Sequence, residues 1–392
     1  MLQSPLPTIN PNLVDTATPP IPEAQGWARA YDGAAGPLID LSQAVPGYPP
    51  HADLLERLGR SAGEAATASY GPIQGDTVLR KGYAAHVAAL YGGDVDWRDV
   101  AITTGCNQAF FIAAIAVAKA GDSVLLPTPW YFNHKMTLDM LGIEARPLPS
   151  PADGGFVPDV DAAASLIDAT TRAIVLVSPN NPTGAVYPPR TIEAFAELCR
   201  RRGLFLILDE TYRDFIAGRP HGLIASGDYR NTLIYLYSFS KSYCIPGHRL
   251  GALHASPTLS PEIGKILDTL QICAPRTAQA PVAWGIEGLA AWRETNRLEI
   301  ERRAEAFRQA FAGVNGWKID AVGAYFAFLR HPFPGQRAAD VVRELVARSG
   351  VLCLPGPYFG PGLEGHMRVA FANADIAAIG ALRERFMRFS PS

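Results

Sequence analysis

Residues 204–212 read LFLILDETY, and residues 232–241 read TLIYLYSFSK. Each is a short apolar run that stops abruptly on polar groups, the first on Asp209 and the second on Ser238, Ser240 and Lys241. Neither alternates apolar and polar residues, the pattern of strands buried on both faces. These runs define strands at Leu204–Asp209 and Thr232–Ser238. Working outward, similar runs predict strands at Val100–Thr103, Ser123–Pro127, Ala173–Ser178 and Leu250–His254. Amphipathic stretches lie between them, with helices predicted over Asn107–Lys119 and Arg190–Arg202. The order predicts an α/β fold, a mostly parallel central sheet wrapped by helices. The longest apolar run, Ala109–Ala118, is too short to cross a bilayer and reads as a buried helix.

Beyond the sheet, a charged amphipathic stretch runs from Ala291 to Ala312. A strand (Tyr325–Leu329), a helix (Ala338–Ser349), a strand (Met367–Phe371) and a closing helix (Asp375–Phe389) follow. This α+β pattern predicts a smaller second domain. The division is 1–50 as an N-terminal arm packing with the small domain, 51–285 as the large domain and 286–392 as the small one. The first fifty residues are rich in proline and read as an irregular lead-in.

Composition narrows the class. The chain has 392 residues, 48% of them hydrophobic, with 35 basic and 37 acidic side chains. The near-balance of charge, without a Lys/Arg run, predicts no nucleic-acid and no membrane partner. Cys106, Cys199, Cys244, Cys273 and Cys353 are odd in number and far apart, which predicts reduced thiols and no metal site. The start, MLQSPLPTINPNLVDTATPP, lacks a basic segment followed by an apolar core. No secretory signal is therefore expected, and the location expected is cytoplasmic.

Ligands of open parallel sheets sit beyond the carboxyl ends of the strands, and the polar residues that stand out here fall at such ends. Lys241 ends the strand through Ser238 and Ser240, with Arg249 eight residues on. A desolvated lysine there has a lowered pKa and a free amine for attack on an aldehyde. Read alone, a lysine is usually a solvated surface group. The serines and the arginine beside it can supply contacts to a phosphate. Asp209 can hold a pyridinium nitrogen protonated, or simply cap a turn. Gly105, Cys106 and Asn107 open an apolar helix, where free backbone N–H groups make a phosphate site. Asn181 lies in a tight turn, SPNNPTG, after another strand, and Tyr131 in PTPWY can stack on an aromatic ring.

Together these residues resemble the class I/II aminotransferases, fold-type-I pyridoxal-phosphate enzymes related to aspartate aminotransferase. The match rests on Asn181 in NNPTG, Asp209-x-x-Tyr212, Ser238-x-Ser240-Lys241 and Arg249, in the family's order and spacing, over about residues 40 to 385. The resemblance implies pyridoxal 5'-phosphate as cofactor and Lys241 as the Schiff-base lysine that moves the proton between Cα and C4'. It implies Asp209 as the partner of the ring nitrogen, and Asn181 and Tyr212 as donors to the ring's O3'. Tyr131 becomes the stacking aromatic, and Gly105, Cys106, Asn107, Ser238, Ser240 and Arg249 the phosphate cup. Arg368 in HMRVA resembles the arginine that grips the substrate α-carboxylate. Tyr70 resembles the tyrosine that reaches the neighbouring subunit's phosphate, which implies a homodimer with shared active sites.

Two positions depart from the family. Ala44 in SQAVP stands where relatives often carry a glycine near the substrate carboxylate. Cys106 lies in the phosphate loop, and reads as a small neutral residue. The reading implied is transfer of an amino group between an L-amino acid and a 2-oxo acid. A β-lyase splitting a C–S bond, or a cyclase, is the alternative on the same scaffold, and an effector-binding regulator is a remote one. The only second cation offered for a distal carboxylate is Arg276, in a register that does not match the aspartate enzymes. With Trp130, Tyr131 and Tyr325 as aromatic supply, a neutral or aromatic side chain is expected.

Overall fold

The computed structural model describes residues 7–391. Its strands, in chain order, are β1 (Ile39–Asp40), β2 (Val100–Thr103), β3 (Ser123–Thr128), β4 (Glu144–Pro149), β5 (Thr171–Val177), β6 (Phe205–Asp209) and β7 (Leu233–Ser238). They continue with β8 (Gly251–His254), β9 (Lys318–Gly323), β10 (Phe326–Arg330), β11 (Val351–Leu352), β12 (Leu354–Pro355) and β13 (His366–Val369). Seven strands form the central sheet in the order β2-β8-β7-β6-β5-β3-β4. Only β8 runs against its neighbours, so the expected mostly parallel sheet is present.

The unbroken apolar runs are explained by two cores, one on each face. On β6, Leu206 and Leu208 enter one cluster, and Ile207 the other. On β7, Tyr235 and Tyr237 face the first, Ile234 and Leu236 the second. On β5, Ile174 and Leu176 alternate in the same way with Ala173, Val175 and Val177. With period-two side chains and both faces covered, no position is left for a polar residue until the strand ends. The chemistry is thereby pushed to the carboxyl edge.

A second, four-stranded antiparallel sheet has the order β12-β13-β10-β9. The long helix Ala290–Phe311 packs against the closing helix Ile376–Arg388. β1 pairs in parallel with β11, Ile39 opposite Val351 and Asp40 opposite Leu352.

Among the stretches that differ from the sequence expectation, three have a plain physical reason. The lead-in is partly helical, over Pro11–Asp15 and Pro20–Ala28, each with proline in the first turn. Proline there loses no hydrogen bond and its fixed φ suits the helix, so it starts these helices. β4 was not expected, because its EARPLP carries two prolines. It lies at the sheet edge, where a missing N–H is tolerated. β9 was not expected either. It is an edge strand of the small sheet, with no fully buried residue to give an apolar run.

Candidate active site

The carboxyl ends of β2, β3, β5, β6 and β7 open on one cavity of about 470 Å³. Asp209 is the last residue of β6. β7 ends on Ser238 and runs directly into a single helical turn, Phe239–Ser242, that carries Ser240 and Lys241. β2 ends at Thr103, and Gly105 precedes the helix Cys106–Val117. Tyr131 caps the helix Phe132–Met140 after β3. Arg368 arrives from β13 of the small sheet, and Ala44 from the segment after β1. All the residues expected to act in catalysis or to hold cofactor or substrate line the cavity except Gly105 and Tyr70.

Gly105 is placed one residue behind the wall. Its φ of 82° lies in the left-handed region. A Cβ there would collide with the guanidinium of Arg249. Glycine thus lets Arg249 lie against the start of the Cys106 helix, whose first N–H groups have no helical partner. That pairing of a helix start with an arginine and two serine hydroxyls is the donor set a phosphate needs. Burial pushes the Cys106 thiol well above its ordinary pKa, so it stays a neutral small residue.

Asp209 is 4% exposed. Its Oδ1 accepts the Thr211 N–H at 2.9 Å, and its Oδ2 is 3.3 Å from His134 Nε2. Burial alone would raise this carboxyl. The contacts with His134 and Thr211 outweigh it and hold the group below the usual carboxylate range. His134 was missed in the sequence. It lies three residues after Tyr131 and stacks on Phe110 with centroids 3.8 Å apart. That i to i+3 spacing was its only signal, and it required knowing that a helix begins at Phe132.

Lys241 is half-buried, and its Nζ donates to the carbonyl of Ala44. Burial, followed by the nearby charges of Arg249 and Arg368, lowers its pKa to about 8. The amine is therefore within reach of its neutral, nucleophilic form near physiological pH. In the cofactor-free protein, capture of pyridoxal 5'-phosphate should accelerate as pH rises through about 8 and level off above it. Stopped-flow absorbance measures this, and a rate still climbing about tenfold per unit between pH 9 and 10 would contradict the lowered pKa.

Arg368 is 2% exposed. Its Nη1 donates to Asn181 Oδ1 at 3.0 Å, and Nη2 to the carbonyl of Ser42. Its Nε has no partner, and burial lowers its pKa to about 10, so it remains charged at neutral pH. The Tyr131 hydroxyl bridges Asn107 at 3.3 Å and Asn133 at 2.9 Å. Tyr212 packs against Tyr325, ring centroids 5.2 Å apart.

Two of the aromatic residues expected at the site are elsewhere. Trp130 packs into a core cluster beside the sheet, and Tyr325 is fully buried between Tyr212 and Phe215. The aromatic lining is Tyr131, Phe132 and Tyr212, with Ile21 and Val45 adding apolar surface. Arg276 does not line the cavity. It pairs with Asp76 at 3.2 Å and donates to the carbonyl of Ala66 at 2.5 Å. The Tyr70 side chain is 77% exposed and touches no part of its own chain's cavity. Among the described residues no helix is long and apolar enough to cross a membrane, and all five cysteines are free.

A half-buried amine of lowered pKa, a carboxylate held below its usual range, a helix start beside an arginine and two serines, and a buried guanidinium converge on this cavity. The family model for aminotransferases of class I and II matches residues 37–386. Among curated proteins, an aromatic aminotransferase of Arabidopsis thaliana is 28% identical over 89% of this chain and 87% of its own. An aspartate aminotransferase of Pyrococcus abyssi is 26% identical over 88% and 90%. The solved aspartate aminotransferase of Thermus thermophilus with maleate superposes with a TM-score of 0.89, covering 98% of this chain and all of that one at 21% identity. That last likeness speaks to fold alone. The chain belongs to the class I and II aminotransferase family. Its cofactor is pyridoxal 5'-phosphate, and the residues lining the cavity fit that group.

Proposed function

We propose that the chain transfers an amino group between a neutral or aromatic L-amino acid and a 2-oxo acid. The observation that carries the side-chain preference is the count of cations. The cavity is lined by Lys241, Arg249 and Arg368. Arg249 would lie at the phosphate and Lys241 at the reacting carbon, which leaves Arg368 as the one cation of this chain's own lining to read a carboxylate. A dicarboxylic substrate needs a second buried cation, because an unpaired buried carboxylate is costly. The relatives, with names covering aromatic and aspartate substrates, leave this choice to the site.

Bound pyridoxal phosphate supplies an electron sink for the charge that develops when Cα loses its proton. The chain's own residues do the rest. Cys106, Asn107, Ser238, Ser240 and Arg249 would hold the phosphate, with Gly105 behind them making room for Arg249. Asp209 would pair with the ring nitrogen, Asn181 and Tyr212 would donate to the ring oxygen O3', and Tyr131 would stack on the ring. Lys241 would move the proton between Cα and C4'. Arg368, steadied by Asn181 and the Ser42 carbonyl, orients the α-carboxylate, with the Ala44 backbone beside Lys241. A single turnover with a panel of amino acids tests the reaction. Transamination leaves the cofactor in its amino form, whereas the β-lyase alternative regenerates the aldehyde and releases ammonia.

Arg368→Ala should lower kcat/KM for every amino acid by about 100-fold or more, since two hydrogen bonds to a charged group are worth roughly 3 to 5 kcal/mol. Arg276→Ala should change little, because that side chain is occupied with Asp76 and Ala66. Selective loss of aspartate or glutamate turnover in Arg276→Ala would overturn the neutral preference.

We further propose a cytoplasmic homodimer, with residues 51–285 as the large domain and 286–392 as the small one joined by the 1–50 arm. The arm's packing rests on the β1–β11 pair and on Ile39 and Leu41 sharing a core with Val341 and Val351. The dimer rests on Tyr70, exposed in its own chain and matched to a residue that serves the neighbour's site. Mixing Tyr70→Ala with Lys241→Ala chains should restore up to roughly a quarter of wild-type activity. Half the dimers would be mixed, and one of two sites in each would be whole. No recovery after verified subunit exchange would sink the shared site.

A further inference from the structure

Arg368 is buried, and among the described residues no carboxylate forms an ion pair with it. Its hydrogen bonds go to the Asn181 side chain and the Ser42 carbonyl, and arginine carries more N–H donors than these bonds use. A carboxylate of the chain placed here would compete with a substrate carboxylate for the remaining donors. The groups packed on the guanidinium are aromatic instead. Its Cζ lies 5.1 Å from the centre of the Phe326 ring and 5.2 Å from that of Phe359. Both rings are buried. The negative face of a ring offsets a cation without supplying an oxygen, and the attraction grows where water is excluded.

The two rings reach Arg368 by different routes. Strand register supplies Phe326. On β10, Phe328 lies opposite Arg368 of β13, so Phe326, next but one along the strand, is the diagonal neighbour on the same face. Phe359 comes from the turn Gly356–Phe359, between β12 and β13. A Cβ on Gly356 would collide with the carbonyls of Leu363 and His366, so glycine lets this turn fold back closely on the start of β13.

Phe359 is also fixed to the segment that follows β3. The Trp130 N–H donates to the Phe359 carbonyl at 2.8 Å, and the Phe359 ring packs against Phe132 with centroids 5.8 Å apart. Arg368 and Phe132 both line the cavity, whereas Phe359 does not. One buried ring thus touches the guanidinium and a cavity wall at once. Without that ring, the guanidinium would keep its hydrogen bonds to Asn181 and Ser42 but lose the flat surface that limits its tilt.

We propose that Phe359 is a positioning residue, its ring holding the Arg368 guanidinium in the orientation that receives a substrate carboxylate. The inference rests on Arg368 reading that carboxylate, as proposed above. The test uses the holoenzyme and pairs of amines that differ only in the carboxylate: alanine with ethylamine, and phenylalanine with 2-phenylethylamine. Single-turnover absorbance gives the second-order rate constant for each. Phe359→Leu keeps an apolar side chain and loses the ring face. It should lower the constant for the amino acids about 10-fold and leave that for the carboxylate-free amines within about twofold. A variant that merely loosened the fold would lower both members of a pair alike, and that result would overturn the proposal. Calorimetry with 3-phenylpropionate, a carboxylate without the amine, reads binding apart from turnover. Its affinity should fall about 10-fold, and an unchanged affinity would also overturn the proposal. Phe359→Met, unbranched and able to fill the same gap, serves should Phe359→Leu fail to fold. Arg368→Ala separates the two readings. If it lowers both members of a pair equally, Arg368 does not read the carboxylate and this inference falls with it. If it removes the preference for the amino acids while Phe359→Leu keeps the wild-type preference, Arg368 stands and only the role of Phe359 is lost.

Discussion

Lys241→Met should lower the rate of amino-group transfer by about four orders of magnitude, the upper range for losing a positioned proton carrier, while leaving the fold intact. On the reading proposed above, Nζ is the group that moves a proton at the reacting carbon, and no other lysine lines the cavity. Methionine matches the stem of lysine in volume and removes a partly desolvated charge, so the variant should not be destabilised. The sign of the stability change follows from the lowered pKa. Folding brings Lys241 from an ordinary value of 10.5 to about 8. Below pH 8 both folded and unfolded chains carry the charge, and the folded state bears its full desolvation cost. Between about pH 8 and 10.5 the unfolded chain binds more protons, so stability rises with pH. Cofactor-free Lys241→Met should therefore exceed cofactor-free wild type by about 3 kcal/mol at pH 7, the gap closing toward pH 10. Urea titrations across that range measure the gap, and single-turnover absorbance measures the rate. Transfer within 10-fold of wild type would remove Lys241 from the reaction.

What could be read from the sequence follows from where polarity is costly. Strands covered on both faces admit no polar side chain until they end, so Asp209, Ser238 and Lys241 stood out against LFLIL and TLIYLY. Arg368 was legible for the same reason, as one charge inside β13. Helices gave weaker signals. His134 sits among polar residues on Phe132–Met140, and only the fold turns it toward Asp209. Glu210 and Arg213, next to residues that were singled out, looked like ordinary loop charges. Their burial comes from the tyrosines of neighbouring elements, Tyr91, Tyr235 and Tyr237, distant in sequence. Trp130 and Tyr325 show the converse error. Nearness in sequence to site residues suggested a place in the cavity, but side-chain direction sent both into the core.

Asp209→Ala should still bind pyridoxal phosphate yet lose about 10²- to 10³-fold in turnover, the usual range for deleting one preorganised electrostatic partner. On the proposed reading, affinity for the cofactor would rest mainly on the residues assigned to its phosphate and on Lys241, neither of which the substitution touches. Turnover would depend on the carboxylate, which would keep the ring nitrogen protonated as charge develops at Cα. Asp209→Asn separates charge from shape. The amide oxygen can still accept from the Thr211 N–H, so a comparable loss in Asn and Ala would assign the effect to the charge. The pH profile gives a second handle. His134 and Thr211 hold the carboxyl below its ordinary range, so in wild type it stays ionised well into acid and does not set the acid limb. His134→Leu removes one of the two groups that lower it while burial continues to raise it. That variant's activity should fall at a higher pH than wild type, with a smaller loss at pH 8 than Asp209→Ala shows. An acid limb unchanged in His134→Leu, together with normal turnover in Asp209→Asn, would mean that this buried pair braces the sheet edge and takes no part in the chemistry.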